Sequence, residues 1–407
     1  MWENIMSFEK KLKNKLNKAY QIFKKTVSTD EHDAFMTLLE KVHNEAHDII
    51  VKGDGELEGS EFSHALSFLS ESDAEVKDLL ELAKEFPTVV KSNGELLGVG
   101  KWELLDPGWI EALEQLFLHF KHKAPFVTNP VTLPISDNVN FVIAGDWGTG
   151  NWRDKAPSEL VGEQMAKLKA DYSIHLGDVY YAGTKEQEIN SLVEHWPAGS
   201  KGSFTLNSNH EMYNGAFSYF EQALTHKFKE QKGCSYFALE NKEWLIIGLD
   251  TAYHANPFDL FLKGNLGEDQ INWLKTLPKN KRIIVLSHHE GYDIQGVNKG
   301  PVYNQLVNAL GREPNFWYWG HLHNAIVYKP KGGFYGRCVG HGAIPYGDAR
   351  ILKHSANVAW YEDKSANDPD IPVRVLNGFV HINLDGNKLS EKLIDENGNE
   401  RVVNNSI

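Results

Sequence analysis

The run Tyr172–Gly183, YSIHLGDVYYAG, decides the fold. A stretch of buried-strand character closes on Gly177-Asp178, and two phenols, Tyr180 and Tyr181, follow at once. Read outward, the pattern recurs. NFVIAGD (140–146), SFTLNSN (203–209), EWLIIGLD (243–250), RIIVLSHH (282–289) and FWYWGH (316–321) are short apolar runs, each closing on polar or acidic residues. Helical patterns, Pro157–Ala170 and Gln270–Leu277 among them, lie between these runs. That alternation predicts an α/β arrangement of buried strands, and such sheets collect their sites at the carboxyl ends of strands. From Gly378 onward, GFVHINLDGNKLSEKLIDENGNERV predicts hairpins turning at Asp385-Gly386 and Asn397-Gly398.

The N-terminal part has a different texture. Ile5, Phe8, Leu12, Leu16, Ala19 and Phe23 recur at helical spacing among lysines. Phe35, Leu38, Leu39, Val42, Ala46, Ile49 and Ile50 make a second stripe, and further helices are expected over 62–69 and 72–86. Asp106-Pro107 caps another, whose stripe is Trp109, Ile110, Leu113, Leu116, Phe117 and Phe120. Pro125, Pro130 and Pro134 then mark an extended connection. The expected organisation is a helical domain over 1–124, a linker over 125–138 and an α/β domain over 139–407.

The chain has 407 residues and a formal net charge of −13. Seven lysines against two acids make residues 1–25 basic, and eight lysines against 21 acids make residues 26–125 strongly acidic. That balance disfavours nucleic acid as a partner. The lysine-rich segment 1–25 could lie on a membrane surface, but packing of its apolar stripe on the acidic helices behind it explains it more simply. Lysines interrupt the stretch where a signal peptide needs apolar residues, and Cys234 and Cys338 form no disulfide framework, so a cytoplasmic location is expected.

The strand ends offer Asp146, Asp178 with Tyr181, Asn209-His210, His288, and His321 with His323. One strand-end acid is ordinarily a turn residue. Five strands delivering carboxylate, amide, phenol and imidazole groups to one edge point instead to a site for two metal ions.

On Asp146-Trp147-Gly148, Gly177-Asp178-Val179-Tyr180-Tyr181, Asn209-His210-Glu211, His288 and Gly320-His321-Leu322-His323, the chain resembles the calcineurin-like metallophosphoesterases, from about Asn138 onward. D-x-G in the first motif and GD-x-x-Y in the second resemble the purple acid phosphatase branch. The resemblance implies a four-layer α/β/β/α sandwich, with the all-helical N-terminal domain added to it. It implies Asp146, Asp178, Tyr181 and His323 on one metal, Asp178, Asn209, His288 and His321 on the other, and His210 facing the substrate phosphate. Asp178, Asn209 and His210 would be the catalytic residues, and a metal-bound hydroxide the nucleophile. The implied cofactors are iron(III) beside the Tyr181 phenolate with a divalent iron, zinc or manganese ion, or two divalent ions. The implied activity is hydrolysis of a small-molecule phosphoester, as a phosphomonoesterase or else a phosphodiesterase. An inactive scaffold working through the helical part is the rival from another class, and the complete ligand set argues against it.

Other residues take plainer readings. Tyr180 is expected to pack, and His175 to be a core histidine. His341 is expected either behind the ligands or in a glycine-rich turn. His289, Glu290, Tyr292 and His254 are candidates for the substrate mouth. Ser208 stands where the family has glycine before Asn-His-Glu, and the sequence after His288, HEGYDIQG, lacks the further histidines of secreted members.

Overall fold

The structure, a computed structural model, describes residues 16–37, 89–97 and 109–404. The expected helices over 62–69 and 72–86, the start of the lysine-rich helix and the stripe beyond residue 37 lie outside the described residues.

Two sheets carry the fold. The first runs through β4 (Asn138–Ala144), β5 (Tyr172–His175) and β6 (Gly202–Thr205), and is extended by β14 (Gly378–Asp385), β15 (Lys388–Asp395) and β16 (Glu400–Asn404) in the order β16-β15-β14-β4-β5-β6. The second contains β3 (Thr132–Pro134), β7 (Phe237–Glu240), β8 (Trp244–Gly248), β9 (Arg282–Ser287), β10 (Phe316–Trp319), β11 (Ala325–Tyr328), β12 (Tyr335–Val339) and β13 (Val358–Tyr361). Its order is β13-β11-β12-β10-β9-β8-β7-β3. Strands β4, β5 and β6 are mutually parallel, as are β8, β9 and β10, so each triplet sends its carboxyl ends the same way.

The inner faces meet in one apolar cluster that includes Phe141, Ile174 and Phe204 from one sheet and Leu239, Ile284 and Tyr318 from the other. The outer faces are covered by helices. Helix Pro157–Lys167 buries Val161 and Met165 near Val142 and Phe379 on one side. On the other, Leu274 and Leu306 of helices Glu268–Thr276 and Tyr303–Leu310 join Leu245, Val285 and Trp317. The result is the four-layer α/β/β/α sandwich. The C-terminal hairpins turn where expected, with Gly386 and Gly398 in the left-handed region at φ 57° and 84°.

The connection after the helical part is more than a linker, because β3 lies within it and pairs with β7 at the sheet edge, where Pro134 costs no ladder bond. A second departure is a small hairpin, β1 (Val89–Val90) with β2 (Leu96–Leu97), in a region where only helices were expected. It docks on the second sheet's loops. Gly347 N–H donates to the Gly94 carbonyl at 2.7 Å, and Asn324 Nδ2 to the Asn93 carbonyl at 3.1 Å.

Residues 16–26, 29–37 and Trp109–His119 are helical. Phe23 packs on Phe35 and Phe120 at centroid separations of 5.1 and 4.9 Å, and Phe120 reaches Phe258 at 5.0 Å. These rings belong to the same buried cluster as Trp147, Tyr180 and Tyr213. The described N-terminal helices therefore share a core with the α/β part.

Candidate metal centre

Asp146 follows β4, Asp178 follows β5, Asn209 and His210 open the helix Asn209–Tyr213 after β6, His288 follows β9, and His321 and His323 follow β10. Sharp turns bring these side chains in. Asp146, Asp178 and His321 all take left-handed backbone, with φ of 56°, 77° and 64°, which few non-glycine residues adopt. Gly177 at φ 100° is required on both counts. A Cβ there would meet the Ser208 Cβ at 2.8 Å and the His288 ring at 3.0 Å.

One ligand atom each from Asp146, Asp178 and His288 lie within 4.8 Å of one another. His288 Nδ1 donates to the Leu176 carbonyl at 3.0 Å, which leaves the neutral ring's Nε2 as an acceptor. That Nε2 faces Asn209 Oδ1 at 2.8 Å and Asp178 Oδ1 at 3.3 Å, both acceptors as well. Protonating the ring does not relieve this, since burial pushes His288 down to about 4 against the pull of Asp178. Three lone pairs converging in a water-excluded site call for a cation between them. Among the described residues, Asp146 Oδ1 and His321 Nδ1 are also buried without a hydrogen-bond partner. Asp146 Oδ2 accepts from the His321 backbone N–H at 3.0 Å, and His323 Nε2 stands 3.5 Å from Asp146 Oδ1. The donor set suits two hard or borderline cations bridged by a carboxylate.

The two acids differ in charge state. Burial, with the Asp178 charge beside it, pushes Asp146 well above the carboxylate range. Against its own burial, His210, His288 and the Ser208 hydroxyl hold Asp178 well below that range. A bound cation would favour the ionised form of both.

Ser208 organises a chain of protons behind Asp178. Its Oγ lies 2.5 Å from Asp178 Oδ1, contacts Glu211 Oε2, and accepts the His210 backbone N–H at 3.1 Å. One hydroxyl donates one proton. With Asp178 ionised, Ser208 donates to it, and Glu211 must supply the proton of its own contact. Burial and the Asp178 charge push Glu211 up to about 8, consistent with a protonated acid there.

Tyr180 makes contacts beyond the packing expected of it. Tyr180, expected to pack, is fully buried with its hydroxyl 2.9 Å from Asp178 Oδ2 and 2.8 Å from His323 Nε2. Tyr181 accepts His210 Nδ1–H on its carbonyl at 2.7 Å and sets its ring edge-on to Trp109. His210 Nε2 faces Asp178 Oδ2 at 3.8 Å.

The mouth candidates scatter. His289 is fully buried, and its Nε2–H donates to the Phe261 carbonyl at 2.8 Å while its Nδ1 takes the Thr251 hydroxyl at 2.8 Å. It sits within ligand distance of His288 and His321, but both its nitrogens are occupied, so neither metal binding nor a place at a mouth fits it. Tyr292 belongs to the outer core beside Tyr303 and Phe334, and His254 packs on Phe126 and Tyr253. Of the four, Glu290 and His289 lie beside His321, the His289 ring at 4.8 Å from it. His175 is a core histidine on Thr205 Oγ1, as expected, and His341 is buried under Gly378.

Sequence reasoning passed over Tyr180, Glu211 and Trp109. The acid after Asn209-His210 was in view as part of its motif. Nothing near Trp109 in the chain marks it, because its partners lie about 70 to 100 residues away.

Residues 139–325 match the profile of the calcineurin-like phosphoesterase family. No curated protein gives a significant match. Similar solved structures include a purple acid phosphatase from yellow lupin seeds, at 15% identity and TM-score 0.45, covering 70% of this chain and 55% of that one. A dimetal phosphatase from Danio rerio aligns at 13% identity and TM-score 0.45, over 66% of this chain and 99% of its own. An anchor protein of the Plasmodium inner membrane complex aligns at 14% identity and TM-score 0.45, over 66% and 88%.

Proposed function

We propose that this chain, which carries a calcineurin-like phosphoesterase domain at residues 139–325, hydrolyses small phosphomonoesters at a two-cation centre. The reading rests on the convergence of His288 Nε2, Asn209 Oδ1 and Asp178 Oδ1, three acceptor atoms facing one another. Asp146, Asp178, His323 and a phenol of the Tyr180–Tyr181 pair would hold one cation, and Asp178, Asn209, His288 and His321 the other. When bound, such a pair polarises phosphoryl oxygens and lowers the pKa of a bound water toward ~7. The residues of the chain supply the rest. Asp178 stays ionised between the two positions, oriented by Ser208. His210, with Nδ1–H held by the Tyr181 carbonyl, presents Nε2 as proton donor to the leaving oxygen or as a partner to charge in the transition state. His321 and His323 are the part-exposed members of the set, so phosphate enters from their side.

Both cysteines are buried free thiols, which suits a reducing, cytoplasmic setting and leaves two divalent ions as an alternative to iron(III) with a divalent ion. No helix among the described residues is long and apolar enough to cross a membrane. The deciding experiment loads purified protein with iron, zinc or manganese and assays an aryl phosphate and a bis-aryl phosphate. Turnover of the monoester, abolished in Asp178→Asn, is expected. A preference for the diester would move the assignment to phosphodiesterase. No turnover of either with two metals bound would overturn the enzyme reading.

A further inference from the structure

A side chain from outside the matched domain reaches the site. Trp109 opens the helix Trp109–His119 and is buried. Its ring lies 5.6 Å from Tyr181 and 6.3 Å from Tyr180, edge-on to both, and 5.2 Å from His210. With Tyr180 at 4.1 Å and Tyr213 at 5.1 Å, it encloses the His210 imidazole in three aromatic walls.

The enclosure matters because of how His210 is held. The bond from Nδ1–H to the Tyr181 carbonyl fixes one atom of the ring, and the aromatic walls bear on the tilt of the ring plane about that atom. The helix bearing Trp109 is anchored to both loops that build the box. Gln187 Nε2, from the stretch after Tyr181, donates to Glu111 Oε2 at 3.0 Å. Asn214 Nδ2, just past the short helix carrying His210, donates to Gln115 Oε1 at 2.9 Å. A wall docked at both ends holds the face it covers.

We propose that Trp109 is a positioning residue for His210, which makes the N-terminal helix a component of the catalytic site. This rests on the phosphoesterase reading above. Trp109 touches no reacting atom. It keeps the imidazole tilted so that Nε2 faces Asp178 Oδ2, the side on which a leaving oxygen would need its proton.

The test uses the full-length, metal-loaded protein. Trp109→Ala should lower kcat by about tenfold or more while KM moves less than about threefold, because small misplacements of a catalytic group are costly. The loss should be greater for an alkyl phosphate than for p-nitrophenyl phosphate, since only the poorer leaving group depends on a donated proton. Trp109→Phe, which restores a ring wall, should recover most of the rate. Adding His210→Gln to Trp109→Ala should cost little more. Equal losses on both substrates, or additive losses in the double variant, overturn the proposal. Where Trp109→Ala does not fold, Trp109→Leu takes its place.

A second readout does not need turnover. Diethyl pyrocarbonate labelling mapped by mass spectrometry should leave His210 protected in the wild type and in Trp109→Phe, and modified in Trp109→Ala. Equal labelling in all three overturns the proposal whatever the activity. Protection that follows Trp109 in a wild type inert toward both phosphates would leave the positioning intact and remove the phosphoesterase reading.

Discussion

At Ser208 the backbone is extended, with φ −135°, so nothing in the main chain asks for the glycine that the family resemblance led one to expect. What the site uses is the hydroxyl, placed between an ionised Asp178 and a protonated Glu211. Ser208→Ala would leave two buried acids facing each other without that bridge. The expected result is a loss of about 1–3 kcal/mol in urea unfolding of the metal-free protein, the range for stranding a buried polar group. The phenols offer a sharper residue-scale comparison. Spacing from Asp178 selected Tyr181, because sequence distance was the one ruler at hand. Folding instead places the Tyr180 hydroxyl on Asp178 and His323. Tyr180→Phe is therefore expected to lower turnover of an aryl phosphate by about tenfold or more, the scale of losing a positioned group. Tyr181→Phe keeps the carbonyl that holds His210 and is expected to stay within about threefold. The reverse order would assign the ligand role to Tyr181. The identities of Asp146, Asp178, Asn209, His288, His321 and His323 were legible because each ends an apolar run. The partner of each atom was not, because tautomers and proton chains depend on distances across strands.

The elements show the same division between what is local and what is not. Strands β4, β5, β9 and β10 were legible as apolar runs with polar ends, and the last hairpins as Asp-Gly and Asn-Gly turns. The hairpin of residues 89–97 was not, since two-residue strands leave no periodicity to read. The bonds that dock it go to Gly347, Ile351 and Asn324, far along the chain. The docking of the N-terminal helix on the loop after His210 is equally hidden in sequence, and Gly215 is its most exacting point. Ala124 N–H donates to the Gly215 carbonyl at 2.9 Å. Gly215 has φ 62°, and a Cβ there would come 2.3 Å from the His122 carbonyl oxygen. Gly215→Ala thus adds left-handed strain to a backbone clash, for an expected cost of about 2–4 kcal/mol. Calorimetry reads the stability. An activity loss accompanying it would show that this joint is felt at His210, and full activity at unchanged melting temperature would show that the connection moves aside freely.

Across the whole molecule, the burial that shapes the centre also disfavours the charged forms of titratable groups in the core, and these make stability depend on pH in opposing directions. Asp146, Glu188, Glu211 and Asp250 are pushed upward by burial, so in the metal-free protein they favour the fold as pH falls. His175, His288 and His341 are pushed downward, to about 3, 4 and 3, and act the other way. His341 isolates one side of this balance, because it stands apart from the metal ligands and its shift comes from burial. In the unfolded chain it titrates near 6.5, as histidines do at about that value. Above that pH both states are neutral and its full contribution is present. As pH falls from about 6.5 toward 3, the unfolded chain takes up a proton that the fold refuses, and the contribution is lost. Wild type and His341→Gln share every other titrating group, so those groups cancel in the difference between them. Urea unfolding of both proteins at pH 7 and pH 4.5 should show the wild type's margin over the variant shrinking by about 2–3 kcal/mol, two units of withheld protonation at about 1.4 kcal/mol each. A margin independent of pH would mean that the His341 ring is reached by water or gains a partner on protonation. The segment around Gly378, against which its Nε2 is packed, would then open more readily than its burial implies.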